Sequence, residues 1–371
     1  MKMKRIMSLG LAFALSLSLA ACGSKEDPKP STAPGGESDP PVVESQGGED
    51  KAPLKVLLVS ALEGDKAFAD SAIAGARKAE KDFNIELSYS QSNDYADYEN
   101  QILTGAEEGF DLVVASASQW GDAIAAHCAE YPDVMFGITD TNCEGDNVVS
   151  VTFAQNQGSF LAGAVAATFT KMTQFPGVNE ENIIGWVGGN DIPALRDFFL
   201  GFTEGAKYID PDIQILQSFA GDFHDPLKGK ELTNAMFEQG ADIVMNVASG
   251  TGNGVLEAAE LNGLYAIGVD LNQDNDRPGH VLTSMLKENG EGVYQIIKKA
   301  VEQGKFTGNE RIYMDLEYGG VNLTDMSVMK EHYPDQLEQI EELLALTEEL
   351  KAKIADGTIV VSNYEGYGKN A

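Results

Sequence analysis

"ADIVMNVASGTGNGVLEAAELNGLYAIGVD", residues 241–270, contains two short apolar runs separated by one amphipathic segment. The runs at 241–249 and 265–270 have the length and the apolar content of buried strands, while 253–262 has the apolar spacing of a helix. A strand, a helix and a second strand in succession form the unit that builds a parallel sheet with helices on its faces. This stretch therefore predicts an α/β fold.

The same rhythm extends over most of the chain. Apolar strand-like runs alternate with amphipathic helical stretches, and an extended segment running into a small-residue helix at 147–171 separates two series of them. Strands are predicted at 54–60, 85–90, 110–116 and 134–139 in the first series, and at 182–189, 213–220, 241–249 and 265–270 in the second. Helices are predicted at 65–83, 97–109, 120–130, 193–208, 226–239 and 253–262. The pattern predicts two doubly wound α/β units of similar size.

The amino terminus has the pattern of an export signal. Residues 1–21 combine early basic residues with an apolar core too short to span a bilayer well. The core ends in Leu19-Ala20-Ala21-Cys22, which resembles the lipobox of bacterial lipoproteins, where cleavage leaves a lipid on the Cys. An ordinary secretory peptide with an incidental Cys is the alternative. We expect a lipid-anchored protein on the extracytoplasmic face of the cell membrane.

Residues 22–53 contain the proposed lipidation site and a stretch rich in Pro, Gly, Ser and acids. Such a composition is typical of a disordered tether. The folded part then begins near Leu54, and its length suggests two domains of ordinary size.

The net charge of −32 restricts the partners. Nucleic acids and anionic membrane surfaces are repelled by such a field, whereas a neutral or cationic small ligand is compatible with it. Solubility alone also explains the acidity. Catalytic motifs such as GxSxG and HExxH are absent, and no His/Cys cluster has metal-binding spacing, so we expect no cofactor and no metal. Cys128 and Cys143 are compatible with a disulfide or with two free thiols.

Polar residues at predicted strand ends indicate where a ligand binds, because ligands of open α/β sheets lie beyond the carboxyl ends of the strands. Asp270 and Lys287 end two apolar runs, and a carboxylate and an ammonium suit a ribose diol. A structural ion pair between them is the alternative. Phe68 and Phe223 lie in strand-end loops and suit stacking on a flat ring, with ordinary core packing as the alternative. The turn "SGTGNG" around Gly250 is a weak phosphate-site pattern, and a tight strand-to-helix turn explains it better.

Several longer motifs, among them "FAQNQGSFLAGAVAA" (153–167), "AIGVDLNQ" (266–273) and "VLTSMLK" (281–287), resemble the basic membrane protein family of lipoproteins. Within that family the chain is most similar to the purine nucleoside receptors, from about Lys55 to about Lys305. The resemblance implies a type I periplasmic-binding fold. It also implies a monomeric receptor that closes around a nucleoside by hinge motion, without chemistry, and delivers it to the permease of an ABC importer.

The resemblance also assigns roles to individual residues. The base is expected between two aromatic rings, here Phe68 and Phe223. An Asp and a Lys hold the ribose, here Asp270 and Lys287, and an Asp after the fourth strand, here Asp140, contacts the base. The glycine-rich turn around Gly250 is expected to line the cleft.

Two departures from the family pattern concern the residues that read the base. The chain has Ser60-Ala61 where the family commonly has Thr-Asp, and residues 67–70 read Ala-Phe-Ala-Asp instead of Ser-Phe-Asn-Gln. Base identity is therefore open, and a nucleobase or another small aromatic solute is an alternative ligand. Three nearby side chains are candidates to compensate: Asp70, Ser116 and Ser118.

Three chain crossings are expected between the lobes, near residues 151–159, 270–274 and 311. These crossings would give an N-lobe of 54–153 plus 272–310 and a C-lobe of 154–271 plus 311–371. Two other classes of function share parts of this pattern: a ligand sensor with the same cleft, and an enzyme such as a nucleoside hydrolase.

Overall fold

The computed structural model describes residues 52–369. The predicted signal peptide, Cys22 and all but the end of the predicted tether lie outside that range. Within it, every helix is too short or too polar to cross a membrane.

The first six-stranded sheet is built mainly from the first half of the chain. Its strands pair in the order β2-β1-β3-β4-β5-β11, and all neighbouring pairs are parallel. The elements of this half are β1 (Leu54–Ser60), α1 (Phe68–Asp82), β2 (Ile85–Gln91), α2 (Tyr98–Glu107), β3 (Leu112–Ser116), α3 (Gly121–His127), β4 (Met135–Thr139) and β5 (Val148–Phe153). Its last strand, β11 (Glu310–Met314), comes from much later in the chain.

The second six-stranded sheet has the order β7-β6-β8-β9-β10-β12, with only β12 antiparallel to its neighbour among the described strands. Its elements are α4 (Gln155–Phe169), β6 (Ile183–Gly188), α5 (Pro193–Ile209), β7 (Gln214–Phe219), α6 (Pro226–Phe237), β8 (Ile243–Val247), α7 (Ser249–Asn262), β9 (Tyr265–Asp270), β10 (Val281–Lys287) and β12 (Val321–Leu323). The remaining helices are α8 (Asn289–Gln303), α9 (Ser327–His332) and α10 (Leu337–Ala355). The predicted α/β fold with two doubly wound units is confirmed.

Strand order defines the switch point of each sheet. In the first sheet β2 and β3 lie on opposite sides of β1, so the strand order changes direction between β1 and β3. In the second sheet it changes direction in the same way between β6 and β8. In such sheets the crevice outside the carboxyl ends of the strands at the switch point is the preferred ligand site. The two sheets therefore each offer one wall to a common cleft.

The crossings between the sheets differ from two of the predicted lobe boundaries. The boundary at 271/272 placed residues 281–287 in the N-lobe, but β10 pairs with β9 and with β12 in the second sheet. The boundary at 310/311 divided β11, which pairs along its length with β5 in the first sheet. The chain thus leaves the second sheet after Lys287. The next helix, α8, packs on α1 of the first lobe, so closely that a Cβ at Gly75 would lie 1.9 Å from the carbonyl oxygen of Gly290.

Candidate ligand-binding cleft

A cavity of about 450 Å³ lies between the carboxyl ends of the two sheets. This volume is within the range of about 300–1,000 Å³ that small-molecule sites occupy. Loops after β1, β2, β3 and β4 form one wall. Loops after β6, β7, β8 and β9, with Lys287 at the end of β10, form the other. Most of the ligand-binding residues predicted from the sequence line it: Phe68, Ser116, Asp140, Phe223, Asp270 and Lys287.

A buried ion pair lies in the lining of the cavity. The Nζ atom of Lys287 donates to Oδ1 of Asp140 at 2.5 Å, and the side chains are only 2% and 10% exposed. The ammonium also lies over the rings of Phe68, Phe153 and Phe198, at 4.9–5.2 Å from their centroids. Within residues 52–369 Asp140 is its one hydrogen-bond acceptor, which leaves N–H groups of this three-proton donor for a ligand.

Asp270 has no such partner. Its carboxylate is buried and accepts no hydrogen bond from the described residues, so the alternative of an Asp270–Lys287 ion pair is wrong: Lys287 is bonded to Asp140. Burial raises the pKa of Asp270 to about 7; the positive charge of Lys287 opposes the shift, and the negative charges of Asp65 and Asp140 add to it. This carboxyl group is available to accept hydrogen bonds from a ligand.

Asp140 and Asp270 occupy matching positions in the two sheets. Each follows or ends an inner parallel strand, and each has a left-handed backbone, with φ of 69° and 65°. This conformation is uncommon outside glycine, although Asp tolerates it better than most residues, and such local strain concentrates at functional sites. The turns direct both carboxylates into the same cleft.

Asp270→Asn should stabilise the ligand-free protein at pH 8 and have little effect at pH 4. Below about pH 4 the carboxyl group is protonated in the folded and the unfolded chain, so its burial costs little. Between about pH 4 and pH 7 the unfolded chain loses this proton while the folded chain keeps it, so folded stability falls as pH rises. Above pH 7 we expect a constant gain for the Asn variant, on the order of 2–4 kcal/mol. Urea denaturation of both proteins from pH 4 to pH 8 measures it, and a pH-independent difference would contradict it.

Phe68 and Phe223 line opposite walls of the cavity, and both rings are partly buried. Phe68 begins α1, and Phe223 lies in the loop between β7 and α6. The ring of Phe223 rests on Gly189, where an added Cβ would lie 2.3 Å from ring carbons. Glycine at this position therefore allows the ring to approach the end of β6 closely.

Sequence reasoning missed an aromatic cluster on the first wall. The rings of Tyr98 and Trp120 are stacked with centroids 4.1 Å apart, and Tyr95 lies 5.0 Å from Tyr98. Trp120 Nε1 donates to Gln101 at 3.1 Å, which fixes the indole in place. All three aromatic residues line the cavity and follow the ends of β2 and β3, so the strand-end rule alone could have found them.

Asp65 was missed as well. Its carboxylate accepts the backbone N–H groups of Ala67, Ala69 and Asp70 at 2.9–3.1 Å and thereby stabilises the amino-terminal end of α1. Burial raises its pKa. Ala61 lacks the acid that the family commonly has at the end of the first strand, but Asp65 brings a carboxylate into the cavity from the following loop.

Three predicted positions do not line the cavity. Asp70 accepts the N–H groups of Gly64 and Lys66 at 2.7 and 2.9 Å, so its carboxylate stabilises the loop before α1. Gly250 packs against the backbone of the Phe223 loop: a Cβ there would lie 3.2 Å from the carbonyl oxygen of Phe223. The third is Ser118.

Hydrogen bonds join loops of the two sheets beside the cavity. Asn190, after β6, donates to the hydroxyl of Tyr95 at 3.2 Å. Gln273, after β9, donates to the carbonyl oxygen of Lys66 at 3.0 Å. These contacts connect loops that follow strands of different sheets.

The two described cysteines are free thiols. Cys128 and Cys143 are both buried, and burial is the main cause that raises the pKa of Cys143 to about 11. Within residues 52–369 no cluster of His, Cys, Asp or Glu has the arrangement of a metal site.

Comparison with known proteins identifies the family. Residues 53–356 match the sequence model of the Bmp family, described as "ABC transporter substrate-binding protein PnrA-like". The chain belongs to this family. The Bmp chain is 31% identical to the CD4+ T-cell-stimulating antigen of Listeria innocua, over 96% of this chain and 97% of that protein. It is 33% identical to the ABC transporter nucleoside-binding protein BmpA of Lactococcus lactis, over 74% and 83%.

Solved structures agree with this assignment. An ABC transporter solute-binding protein of Aeropyrum pernix is 27% identical, with a TM-score of 0.72 over 84% of this chain and 94% of that chain. A solute-binding protein of Conexibacter woesei at 24% identity, with a TM-score of 0.64, shows the same fold. This Bmp protein is therefore a substrate-binding component of the ABC transporter type, with the periplasmic-binding fold.

Proposed function

We propose that the protein captures a nucleoside in the cleft and delivers it to the permease of an ABC importer. The observation that carries the proposal is the arrangement of two aromatic walls, at Phe68 and Phe223, around a cavity whose lining also holds a buried ammonium and several acids. A nucleoside has one flat, largely apolar part and one part rich in hydroxyl groups. The related Lactococcus lactis protein is named for nucleoside binding, which supports the same ligand class.

The base lies between the aromatic side chains of the two walls in this proposal. Stacking contributes about 1–3 kcal/mol per base on an aromatic platform and tolerates different bases. Tyr98 and Trp120 extend the first wall beyond Phe68, and Asp65 offers a carboxylate near the same wall. We propose that these residues take over base recognition from the family positions occupied here by Ala61 and Ala69.

The ribose lies beside the charged groups of the lining. Lys287 donates to the sugar hydroxyls, and Asp270 accepts from them, because Lys287 has N–H groups left and Asp270 has no partner of its own among residues 52–369. Asp140, which the family resemblance assigns to the base, is already bonded to Lys287. We place its carboxylate where the sugar and the base meet.

The charge of the cavity favours an uncharged ligand. Asp65, Asp140, Asp222 and Asp270 line it together with Lys287 as the one Lys or Arg side chain of the lining. A phosphate group would meet this excess of acids without the arginine fork that usually binds it. Nucleotides are therefore expected to bind much more weakly than nucleosides.

Isothermal titration of the purified protein with ribonucleosides, free bases, ribose and nucleoside monophosphates tests this function. We expect at least one ribonucleoside to bind at one site per chain, and the matching monophosphate to bind weakly or not at all. Binding of a free base with equal or higher affinity would favour the nucleobase alternative. Absence of binding by every nucleoside and base would reject the proposal.

Phe68→Ala and Phe223→Ala should each weaken nucleoside binding by about 1–3 kcal/mol, because each removes one stacking surface. Phe83→Ala is the matched control, since this partly buried ring packs on Tyr294 with centroids 5.4 Å apart and does not line the cavity. Calorimetric titration gives the affinities, and thermal unfolding gives the stabilities. Unchanged affinity in both cavity variants, with lost stability instead, would show that the two rings only pack in the core.

Cys22→Ala should release the protein from the membrane into the soluble or secreted fraction. We propose that Cys22 carries the lipid anchor and that the protein works as a monomer on the extracytoplasmic face, near its permease. Fractionation of cells that produce the wild type, the Cys22→Ala variant and a Cys128→Ala control measures the effect. Membrane association of the Cys22→Ala variant equal to that of the wild type would contradict the lipidation site.

A further inference from the structure

The carboxyl-terminal segment Val361–Lys369, here called the strap, follows α10 and lies beyond the residues that match the family model. It has no helix or strand, yet Val361 and Tyr367 are buried. Its hydrogen bonds reach elements that belong to both sheets.

One end of the strap is bound to the helices of the second sheet. Asn156 of α4 donates to the carbonyl oxygen of Ser362 at 3.0 Å, and the N–H of Ser362 donates to Glu204 of α5 at 2.9 Å. The N–H of Tyr364 donates to Oδ1 of Asp197 at 2.7 Å. Asp197, also on α5, is fully buried.

The other end is bound to the first sheet. Arg311 of β11 donates to the carbonyl oxygen of Gly368 at 2.8 Å. The hydroxyl of Tyr367 donates to the carbonyl oxygen of Asp140 at 3.3 Å, while the N–H of Asp140 donates to Val151 at 2.8 Å. The left-handed backbone of Asp140 is therefore held on both sides, once by the sheet and once by the strap.

Lys287 connects these two ends. It is bonded to Asp140, and its charge acts on Asp197, whose pKa burial raises to about 7 against the opposing effects of the Tyr364 N–H and of Lys287. Burial and the negative charges of Asp140 and Asp197 raise the pKa of Tyr367, which keeps its hydroxyl a donor. The strap thus contacts Asp140, which is bonded to Lys287, and Asp197, on which the charge of Lys287 acts.

We propose that the strap positions the ligand-binding lysine: by holding the backbone of Asp140, whose carboxylate accepts from Lys287, it fixes Lys287 in the orientation that meets the ligand. Tyr367 is the central positioning residue. It does not line the cavity, so its effect on binding is exerted through Asp140. The inference rests on the proposed function only for its choice of ligand.

The test compares Tyr367→Phe with Tyr333→Phe in the full chain. Both changes remove only a phenol O–H, and both hydroxyls donate to a backbone carbonyl, Tyr333 to Gly279 at 3.1 Å in a part of the second lobe away from the cavity. Tyr367→Phe should weaken guanosine or adenosine binding by about five- to tenfold. The loss should be smaller for the free base, because Lys287 faces the sugar. Tyr333→Phe should leave both affinities unchanged.

Hydrogen exchange in the absence of ligand gives a second readout. Tyr367→Phe should speed amide exchange in peptides covering residues 139–147, while Tyr333→Phe should not. Wild-type protein that binds no nucleoside would reject the proposed function, and the exchange result alone would then decide the role of the strap. If the wild type binds and Tyr367→Phe has the same affinity for riboside and base as the wild type, the positioning role is rejected.

Discussion

Replacing Lys287 by methionine should remove nucleoside binding and strongly destabilise the ligand-free protein at neutral pH. The substitution keeps much of the aliphatic volume but leaves Asp140 buried without its cation, next to Asp270 and Asp65. Removal of one partner of a buried ion pair typically costs about 3–5 kcal/mol. We expect a loss of this size in the free energy of unfolding at pH 7, measured by urea denaturation.

The matched control for this prediction is Lys230→Met. Lys230 is paired with Glu257 at 2.8 Å, but this pair is far more exposed than Lys287 and Asp140. Surface pairs contribute about 0–1 kcal/mol, so the control should change stability little. Lys287→Met combined with Asp140→Asn should recover part of the lost stability, without recovering binding. A loss below about 1 kcal/mol for Lys287→Met would mean that the pair does not stabilise the fold.

Ribonucleosides should bind more tightly than their 2′-deoxy analogues and than the free bases. A buried carboxylate that loses a hydroxyl donor keeps its desolvation cost, on the order of 1–3 kcal/mol. Asp270→Ala should reduce this preference, because the acceptor that distinguishes the sugars is gone. Titration of inosine, guanosine and adenosine, their 2′-deoxy forms and the bases into wild type and variant gives the ratios. A ratio that is the same in both proteins would contradict the ribose contact of Asp270.

The fold was predictable because its signals are local. Alternating apolar strands and amphipathic helices follow directly from side-chain periodicity, and β1 and β9 have the bounds that the sequence predicts. The sheet membership of β10 was not predictable in this way. It depends on pairing with β9 and β12, and the choice between two similar sheets is made by tertiary contacts.

In the candidate site, too, the positions of single residues were predictable but their tertiary contacts were not. Four site residues could be predicted because they follow or end predicted strands or match a family motif: Phe68, Phe223, Asp270 and Lys287. The hydrogen bond between Lys287 and Asp140 could not be predicted, since these residues are 147 positions apart and lie at the ends of strands of different sheets. A strand-end position predicts that a side chain faces the cleft, but not which neighbour it binds there.

Asp65 and the strap illustrate a second limit. Asp65 enters the cavity because the loop after β1 folds back over the start of α1, and the shape of that loop is not encoded in a periodicity. The strap has neither helical nor strand spacing, so its sequence resembles an ordinary chain end. Its importance follows from contacts with Asp197 and Asp140 that only the folded chain brings together.

The most direct test of the central claim is a competition for the cleft. The purified protein is incubated with an equimolar mixture of ribonucleosides, nucleobases, ribose, other sugars and amino acids, separated from unbound solutes by gel filtration, and denatured. Mass spectrometry then identifies the released small molecules. We predict that a ribonucleoside is retained at about one molecule per wild-type chain and is lost from Lys287→Met. Retention of a free base, a sugar or an amino acid in its place, or of nothing at all, would contradict the account.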